Sequence, residues 1–307
     1  MLRQTRRWIG LFVVALVAIA LYAARVPAPP QREPLPQPNG YDDFVAATKL
    51  VQGEYPREDR KDPVATSNFL AANGPALERL RVGLSRASLV NPFDATNAQS
   101  RLDEAGGMKT LSLLLAAEAN AARERQDWDR LMTSASEGVD FGLRLARGGV
   151  MLDQMISTAA EAMARRPLEE ALAVIPAEPA KKAARNLSRL ESSRESFTRV
   201  RFNEDAFVRR TSNPLMRVAW SLFLRRRVET TYARTEQNSL GNVFATRNLA
   251  QNLAARAYTL EKGQPPASPE ALVPEYLPAV PLNPVTGKPL KKFYGTALPA
   301  YAQIPLD

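Results

Sequence analysis

The sequence contains no cysteine and no histidine among its 307 residues. Without these side chains, the chain alone cannot build disulfides, zinc–thiolate sites, iron–sulfur clusters or a haem site with Cys or His ligands. A Ser-His-Asp or Cys-His catalytic relay is excluded as well, because the imidazole is missing. Any catalysis would therefore depend on Asp, Glu, Lys, Tyr, Ser or Arg side chains.

Aromatic residues are also few, at 7% of the chain, and no segment of useful length alternates with the period of a β-strand. The apolar fraction of 45% is that of a globular protein and excludes global disorder. Apolar residues recur at helical spacing nearly throughout residues 39–262. The sequence therefore predicts an all-α fold, a helical bundle of about eight helices.

Charge is absent from the N-terminal run Trp8–Ala24. A helix of this length spans about 25 Å, slightly less than the ~30 Å hydrocarbon core of a bilayer. Arg7 and Arg25 at its two ends can reach the headgroups, and more arginines precede the run than follow it closely. By the positive-inside rule, we predict a single-pass transmembrane anchor over residues 1–26, with a cytoplasmic N-terminus and an extracytoplasmic body.

A cleaved signal peptide is the competing interpretation of the same run. Its cleavage site is poor, because Tyr22-Ala23-Ala24 lacks a small residue at one key position. Val26-Pro27-Ala28 fits better but is followed by Pro29, which should hinder a peptidase. We favour the uncleaved anchor; a buried soluble helix is a third alternative.

Prolines are concentrated on either side of the predicted helical domain, residues 39–262. Residues 27–38 contain six prolines, which exclude a helix and favour an extended linker. Residues 263–307 contain ten. Apolar residues at 272–277 lie between turn prolines, so we expect this C-terminal segment to dock on the body as a short helix.

Local signals predict several helix boundaries. Asp127 is a predicted N-cap, and Gly148-Gly149 a C-cap and turn. Gly106-Gly107 is predicted to precede a helix over Met108–Gln126, and Ala180–Asn203 is predicted to be one helix.

The segment Ser112–Arg147 resembles a tetratricopeptide-like helical hairpin, since small residues precede a turn and then an aromatic residue and a Leu. A second segment, Ala159–Leu172, shows a weaker form of the same hairpin pattern. The two are offset by 43 positions, against about 34 in that repeat, so we favour bundle packing without true repeats.

The segment Ala257–Leu290 combines a helix, a Gly-x-Pro-Pro-like turn, a short helix ending in Leu-Val-Pro and a Val-Pro-x-x-Pro step. It resembles the C-terminal segment of type II secretion pseudopilins. A prepilin start is absent, because Gly10-Leu11-Phe12 is followed by valines and no acidic residue interrupts the run. With its anchor, linker and helical body, the chain is more similar to uncharacterised single-pass bacterial envelope proteins. This resemblance implies a bacterial inner-membrane protein whose bulk is periplasmic.

Positive charge is concentrated between Lys181 and Arg234, where 14 Lys and Arg face five Asp and Glu. That net charge of +9 equals the charge of the whole chain. Basic residues that lie beside aromatic ones can contact anionic lipid headgroups. A solvated helix face, with Arg stems over apolar core, is the competing interpretation. The candidate contact residues are Arg209, Arg210, Trp220, Phe223, Arg225, Arg226 and Arg227.

Paired carboxylates are the remaining candidates for acid–base chemistry. Glu118 and Glu161 could face each other across a helical hairpin, and Asp140 and Asp153 flank the Gly148-Gly149 turn. Two facing acids could share a proton or hold a cation, but ordinary surface or capping acids are the simpler interpretation. Asp42-Asp43 complement a helix dipole in the same simple way. We assign no catalytic, cofactor-binding or metal-binding residue.

These features predict a membrane-anchored, extracytoplasmic helical protein that binds or scaffolds another envelope protein without being an enzyme. The alternative is an envelope hydrolase or transferase that uses carboxylate or Tyr chemistry. The expected partners are the membrane, an envelope protein and anionic lipid headgroups. We expect no cofactor, and no nucleic acid because the body is predicted to lie outside the cytoplasm.

Overall fold

The computed structural model describes residues 33–55, 62–92, 98–213, 225–291 and 293, with isolated positions at 12–14, 17–18 and 21. For residues 98–101 and 225–228 it describes the backbone alone. The all-α prediction is confirmed, because these residues form α-helices and no strand. From residue 33 onward the described helices are α1 Gly40–Thr48, α2 Pro63–Ala72, α3 Gly74–Leu84, α4 Ala98–Glu124, α5 Trp128–Ala146, α6 Met151–Ala171, α7 Ala177–Glu191, α8 Phe197–Thr211 and α9 Arg225–Lys262, followed by a 3-10 helix at Pro269–Leu272.

The body begins at a buried side chain, Asn39. Its carboxamide accepts the Tyr41 N–H at 3.3 Å, which caps α1. The same group bonds both backbone groups of Leu89 at 3.0 Å, so it fixes the end of the linker to the loop after α3. Downstream, Asp127 accepts the Arg130 N–H at 3.1 Å, and this confirms the predicted N-cap of α5.

Two predicted boundaries are wrong. Helix α4 runs straight through Gly106-Gly107, where Gly107 permits a close helix crossing: a Cβ there would lie 2.6 Å from the Cβ of Thr48. The single helix predicted over Ala180–Asn203 is broken between α7 and α8. At this break the hydroxyl groups of Ser192 and Ser193 each donate to a backbone carbonyl three residues earlier, at 2.7 Å.

Two large apolar clusters form most of the core of the described bundle, and both α4 and α5 contribute to each of them. One cluster joins α1, α2 and α3 to the α4–α5 hairpin, with Phe44 and Phe141 in edge-to-face contact at 5.0 Å between ring centroids. The other, main core joins the hairpin to α6, α7 and α9 and is rich in Ala and Leu. The bundle is thus continuous around α5.

The C-terminal segment, residues 263–291, docks on the body. Leu272, Tyr276 and Leu277 are fully buried in the main core. The Tyr276 hydroxyl donates to Glu261 at 2.7 Å, and the ammonium group of Lys181 lies 4.6 Å from the centroid of its ring.

Most of the predicted anchor, residues 1–26, lies outside the part of the chain that the structure describes. Its described positions are helical, and their apolar side chains are exposed, such as Phe12 at 66% and Leu21 at 69%. Among the described residues, no helix has the length and apolarity needed to cross a membrane.

Candidate functional site

The predicted basic surface is only partly described. Arg209 and Arg210 lie at the C-terminal end of α8, the first half-buried and the second exposed. Arg225–Arg227 form the first turn of α9, where the backbone alone is described. Trp220 and Phe223 lie outside the described residues.

A contact between α8 and α9 brings the two basic clusters to one part of the molecule. Arg201 of α8 pairs with Glu229 of α9 at 2.8 Å, and its guanidinium lies 5.3 Å from the centroid of the Tyr232 ring. Arg209 is about 12 Å along α8 from Arg201, and Arg226 is about 5 Å along α9 from Glu229. Both basic clusters therefore lie within about 12 Å, measured along their helices, of the contact between Arg201 and Glu229.

Helix α8 presents basic and apolar side chains outward along one line. Arg199, Phe202, Ala206, Arg209 and Arg210 recur at spacings of three and four residues, which places them within an arc of about 100°. Phe202, the second residue of this line, is 53% exposed, whereas Ala206 and Arg209 are half-buried. We call these five residues the outer stripe of α8. Arg199 and Phe202 were not among the candidates from sequence.

The side of α8 next to the outer stripe holds the helix on the start of α6. Val200 is fully buried and packs with Met151 and Tyr232. The Asn203 side chain donates to the Gly149 carbonyl at 3.0 Å, and Glu204 accepts the Met151 N–H at 2.9 Å. Burial raises the pKa of Glu204, and the Met151 hydrogen bond offsets only part of this. At least one acidic group of α8 therefore faces the body, away from the outer stripe.

The linker reaches the body beside α8. Glu33 pairs with Arg147, the C-cap residue of α5, at 3.3 Å. Both residues border a small, solvent-open cleft between the linker, the α5–α6 turn and α8. The cleft is lined by Glu33, Leu89, Arg147, Gly148, Glu195, Arg199 and Asn203. Because Arg199 also belongs to the outer stripe, the linker and the stripe adjoin.

Part of the basic excess of residues 181–234 stabilises the body instead of forming a surface. Arg194 bonds the buried carboxylates of Glu161 at 2.6 Å and Glu191 at 2.8 Å. Lys181 pairs with Glu275 at 3.2 Å, and Arg185 donates to the Glu275 carbonyl at 2.7 Å, so both hold the docked C-terminal segment. The charge count from sequence therefore overstates the exposed basic surface.

The candidate acids are each engaged by a cation or a backbone N–H. Glu161 binds Arg194, and Asp140 binds Arg144 at 2.8 Å. Asp153 accepts the Val150 N–H at 2.8 Å at the start of α6, so it is a capping residue. Over the described ranges, no three acidic side chains come together in a way that could hold a metal ion.

Glu118 of α4 lies between two arginines and a hydroxyl group. It bonds Arg81 at 2.5 Å, Ser134 at 2.7 Å, and Arg130. Burial alone would raise the pKa of Glu118, but the hydrogen bonds from Ser134 and Arg130 and the charge of Arg81 lower it overall. The ionised carboxylate thus joins α3, α4 and α5.

Replacing Glu118 with Gln should lower the free energy of unfolding at pH 7 by about 1.5–3 kcal/mol, the range for hydrogen bonds to a charged group. A lowered folded-state pKa gives stability that is present above the unfolded value, near 4.5, and lost as pH falls through the folded pKa. The difference between wild type and variant in urea unfolding should therefore shrink below about pH 4.5. The exposed Glu124→Gln is the matched control on the same helix. A difference that stays constant down to pH 3 would contradict this account.

Comparison of the chain with protein-family models, curated proteins and solved structures found no match. The resemblances of residues 257–290 and of the anchor and linker therefore stay predictions. What the chain does must be inferred from the geometry of α8, the linker and their cleft.

Proposed function

We propose that this chain is a membrane-anchored, non-enzymatic binding or scaffold protein of the bacterial envelope, whose body lies on the anionic membrane surface through α8. The observation that supports this most directly is the position of the linker. Glu33 and Arg199, the first residue of the outer stripe, border one cleft, so an anchor preceding residue 33 would hold this end of the stripe toward the bilayer.

The linker is short, and this limits how far the body can move from the membrane. Eight residues, 25–32, separate the apolar run from Glu33, and a fully extended chain of that length spans at most about 28 Å. A short tether of this kind converts docking into an intramolecular step, so a modest affinity is enough. The body would stay close to the headgroups even when it is not docked.

The outer stripe has the composition of an interfacial helix. Its arginines lie on both sides of Phe202, whose exposed ring can insert at the boundary between headgroups and acyl chains. Each basic residue near an anionic surface contributes about 1 kcal/mol at low salt. The basic cluster at Arg225–Arg227 adds charge near the same contact. The remaining helices are then available to an envelope partner.

Docking can be measured on the full chain in vesicles, because the absence of cysteine allows a single label at Thr198→Cys, an exposed position beside the outer stripe. Energy transfer to a headgroup-labelled lipid should be high in bilayers with phosphatidylglycerol and lower in phosphatidylcholine alone. Replacing Arg225, Arg226 and Arg227 with Gln should lower the ratio of docked to undocked body by about two orders of magnitude at low salt. Added salt should remove most of this difference.

The matched control removes the same charge elsewhere: the exposed residues Lys182, Arg189 and Lys288 are replaced with Gln. This variant should dock nearly as well as the wild type. Energy transfer that is insensitive to salt, lipid charge and both variants would contradict docking and indicate a solvated helix face.

The same labelled position tests the location. In intact spheroplasts, a membrane-impermeant maleimide should react with Cys-substituted Thr198 from outside. Reaction only after lysis would place the body in the cytoplasm and overturn the envelope assignment.

A further inference from the structure

Two arginines border the cleft between the linker and α8. Arg147 comes from the end of α5, and Arg199 from the first turn of α8. Their side chains are 51% and 44% exposed, so both are accessible to a molecule in solution or at a membrane surface.

Both arginines have only loose partners. The Arg147–Glu33 pair is 3.3 Å long, and its carboxylate is 64% exposed. The Nε atom of Arg199 is 3.9 Å from Glu195, whose other oxygen accepts the Gly148 N–H at 2.7 Å. Exposed pairs of this kind contribute little to stability, so a better anion can replace them.

Glu33 can leave the cleft without unfolding the body. Residues 33–38 are exposed apart from a half-buried Pro36, and the first buried residue of this described stretch is Asn39. Residues 33–38 contact the body through one described ion pair, between Glu33 and Arg147. Asn39 and its bonds to Leu89 would keep α1 in place after Glu33 is released.

We propose that Arg147 and Arg199 form a binding site for the phosphate of an anionic lipid headgroup, and that the Glu33 carboxylate occupies this site when the body is undocked. The inference rests on the proposed membrane docking. A guanidinium binds a phosphate through two parallel N–H···O bonds, which suits it better than one long contact with a carboxylate. Glu195 stays on Gly148, so the phosphate takes the Glu33 side of the cleft.

The displaced linker changes how the body can move. With Glu33 bound, the tether consists of residues 25–32; with Glu33 released, it consists of residues 25–38. Its maximum reach then rises from about 28 Å to about 50 Å. Binding of the headgroup would therefore release the body to reorient on the membrane while α8 remains docked.

Release of the linker can be followed by spin-label distances in the full chain, with labels at Leu35→Cys and Lys182→Cys, both exposed positions. In phosphatidylcholine bilayers the distance distribution should be narrow. Phosphatidylglycerol should broaden it, and Glu33→Gln should broaden it in both lipids. Arg199→Gln keeps the Glu33 pair but removes one guanidinium, and it should weaken release by phosphatidylglycerol about tenfold. Arg189→Gln, an exposed arginine of α7, should leave release unchanged.

Separate measurements distinguish the possible anions. Inorganic phosphate is added to the chain in phosphatidylcholine bilayers, and sodium chloride is added at the same ionic strength. Release by phosphate together with lack of release by phosphatidylglycerol would overturn the lipid assignment. Equal release by chloride would show screening of the Glu33 pair and would also overturn the site. Docking at Thr198 with an unchanged Leu35 distance would overturn this inference and leave the proposed function intact.

Discussion

Replacing Arg194 with Met is expected to lower the free energy of unfolding by about 3–5 kcal/mol, because it leaves the buried Glu161 carboxylate without the arginine that it bonds. The Glu161 side chain is fully buried, and that of Glu191 is 6% exposed. Burial alone would lower the pKa of Arg194, but Glu161 and Glu191 outweigh it and raise the pKa. The guanidinium therefore stays charged and bridges the two carboxylates, and Arg247 gives Glu191 a second cation at 3.3 Å.

The measurement is urea unfolding of the chain in mild detergent, followed by circular dichroism. Arg189→Met is the matched control, because Arg189 is an exposed residue five positions earlier in the chain, and its effect should stay within about 0.5 kcal/mol. A Glu161→Gln change combined with Arg194→Gln should cost less than the sum of the single changes, since the two residues are in contact. Equal effects of Arg194→Met and Arg189→Met would contradict the assigned role.

Local features of the fold could be predicted from sequence because their physical causes are local. The Asp127 cap depends on a side chain and an N–H three residues away. Gly148 adopts a φ of 76°, which glycine favours, so the predicted turn follows from the residue type. Helical periodicity likewise predicted the all-α fold without knowledge of which helices pack together.

The buried ion pairs could not be predicted, because each depends on helix packing. Arg194 is 33 positions from Glu161 in the chain, and no spacing rule relates them. Asp43 fitted the role of a helix-dipole complement, but it is 1% exposed and bonds Arg79 at 2.6 Å and Arg86 at 2.7 Å. Sequence shows the charges; only the packing of α1 on α3 shows their pairing.

The candidate site was partly visible in the sequence. The i, i+3 and i+4 spacing of Arg199, Phe202 and Ala206 is readable, but the acidic residues of the same helix obscure which side faces solvent. The break before α8 lacks the strong helix-breaking residues, since no Gly or Pro lies within residues 180–203. Without that break, Arg199 cannot be placed at a helix start beside the linker.

Replacing Tyr276 with Ala is expected to lower the free energy of unfolding by about 3–5 kcal/mol, the range for loss of a buried aromatic ring. The ring is fully buried in the main core and lies 5.4 Å from that of Tyr258. Burial raises the pKa of the Tyr276 phenol, and so does Glu261, so the hydroxyl stays protonated and donates to that carboxylate. Tyr276→Phe keeps the packing and removes only this bond, at a cost of about 1.5–3 kcal/mol.

The same unfolding measurement on Leu282→Ala provides the control, because Leu282 belongs to the same C-terminal segment and is 46% exposed. Its effect should stay within about 0.5 kcal/mol. Deletion of all residues after Lys262 should destabilise at least as much as Tyr276→Ala, since it also removes Leu272 and Leu277 from the main core. If the deletion and Tyr276→Ala both leave unfolding unchanged, the C-terminal segment is an appendage. A larger loss in the free energy of unfolding for Tyr276→Ala than for Tyr276→Phe, as burial of the ring predicts, would instead show that the segment is part of the folded bundle.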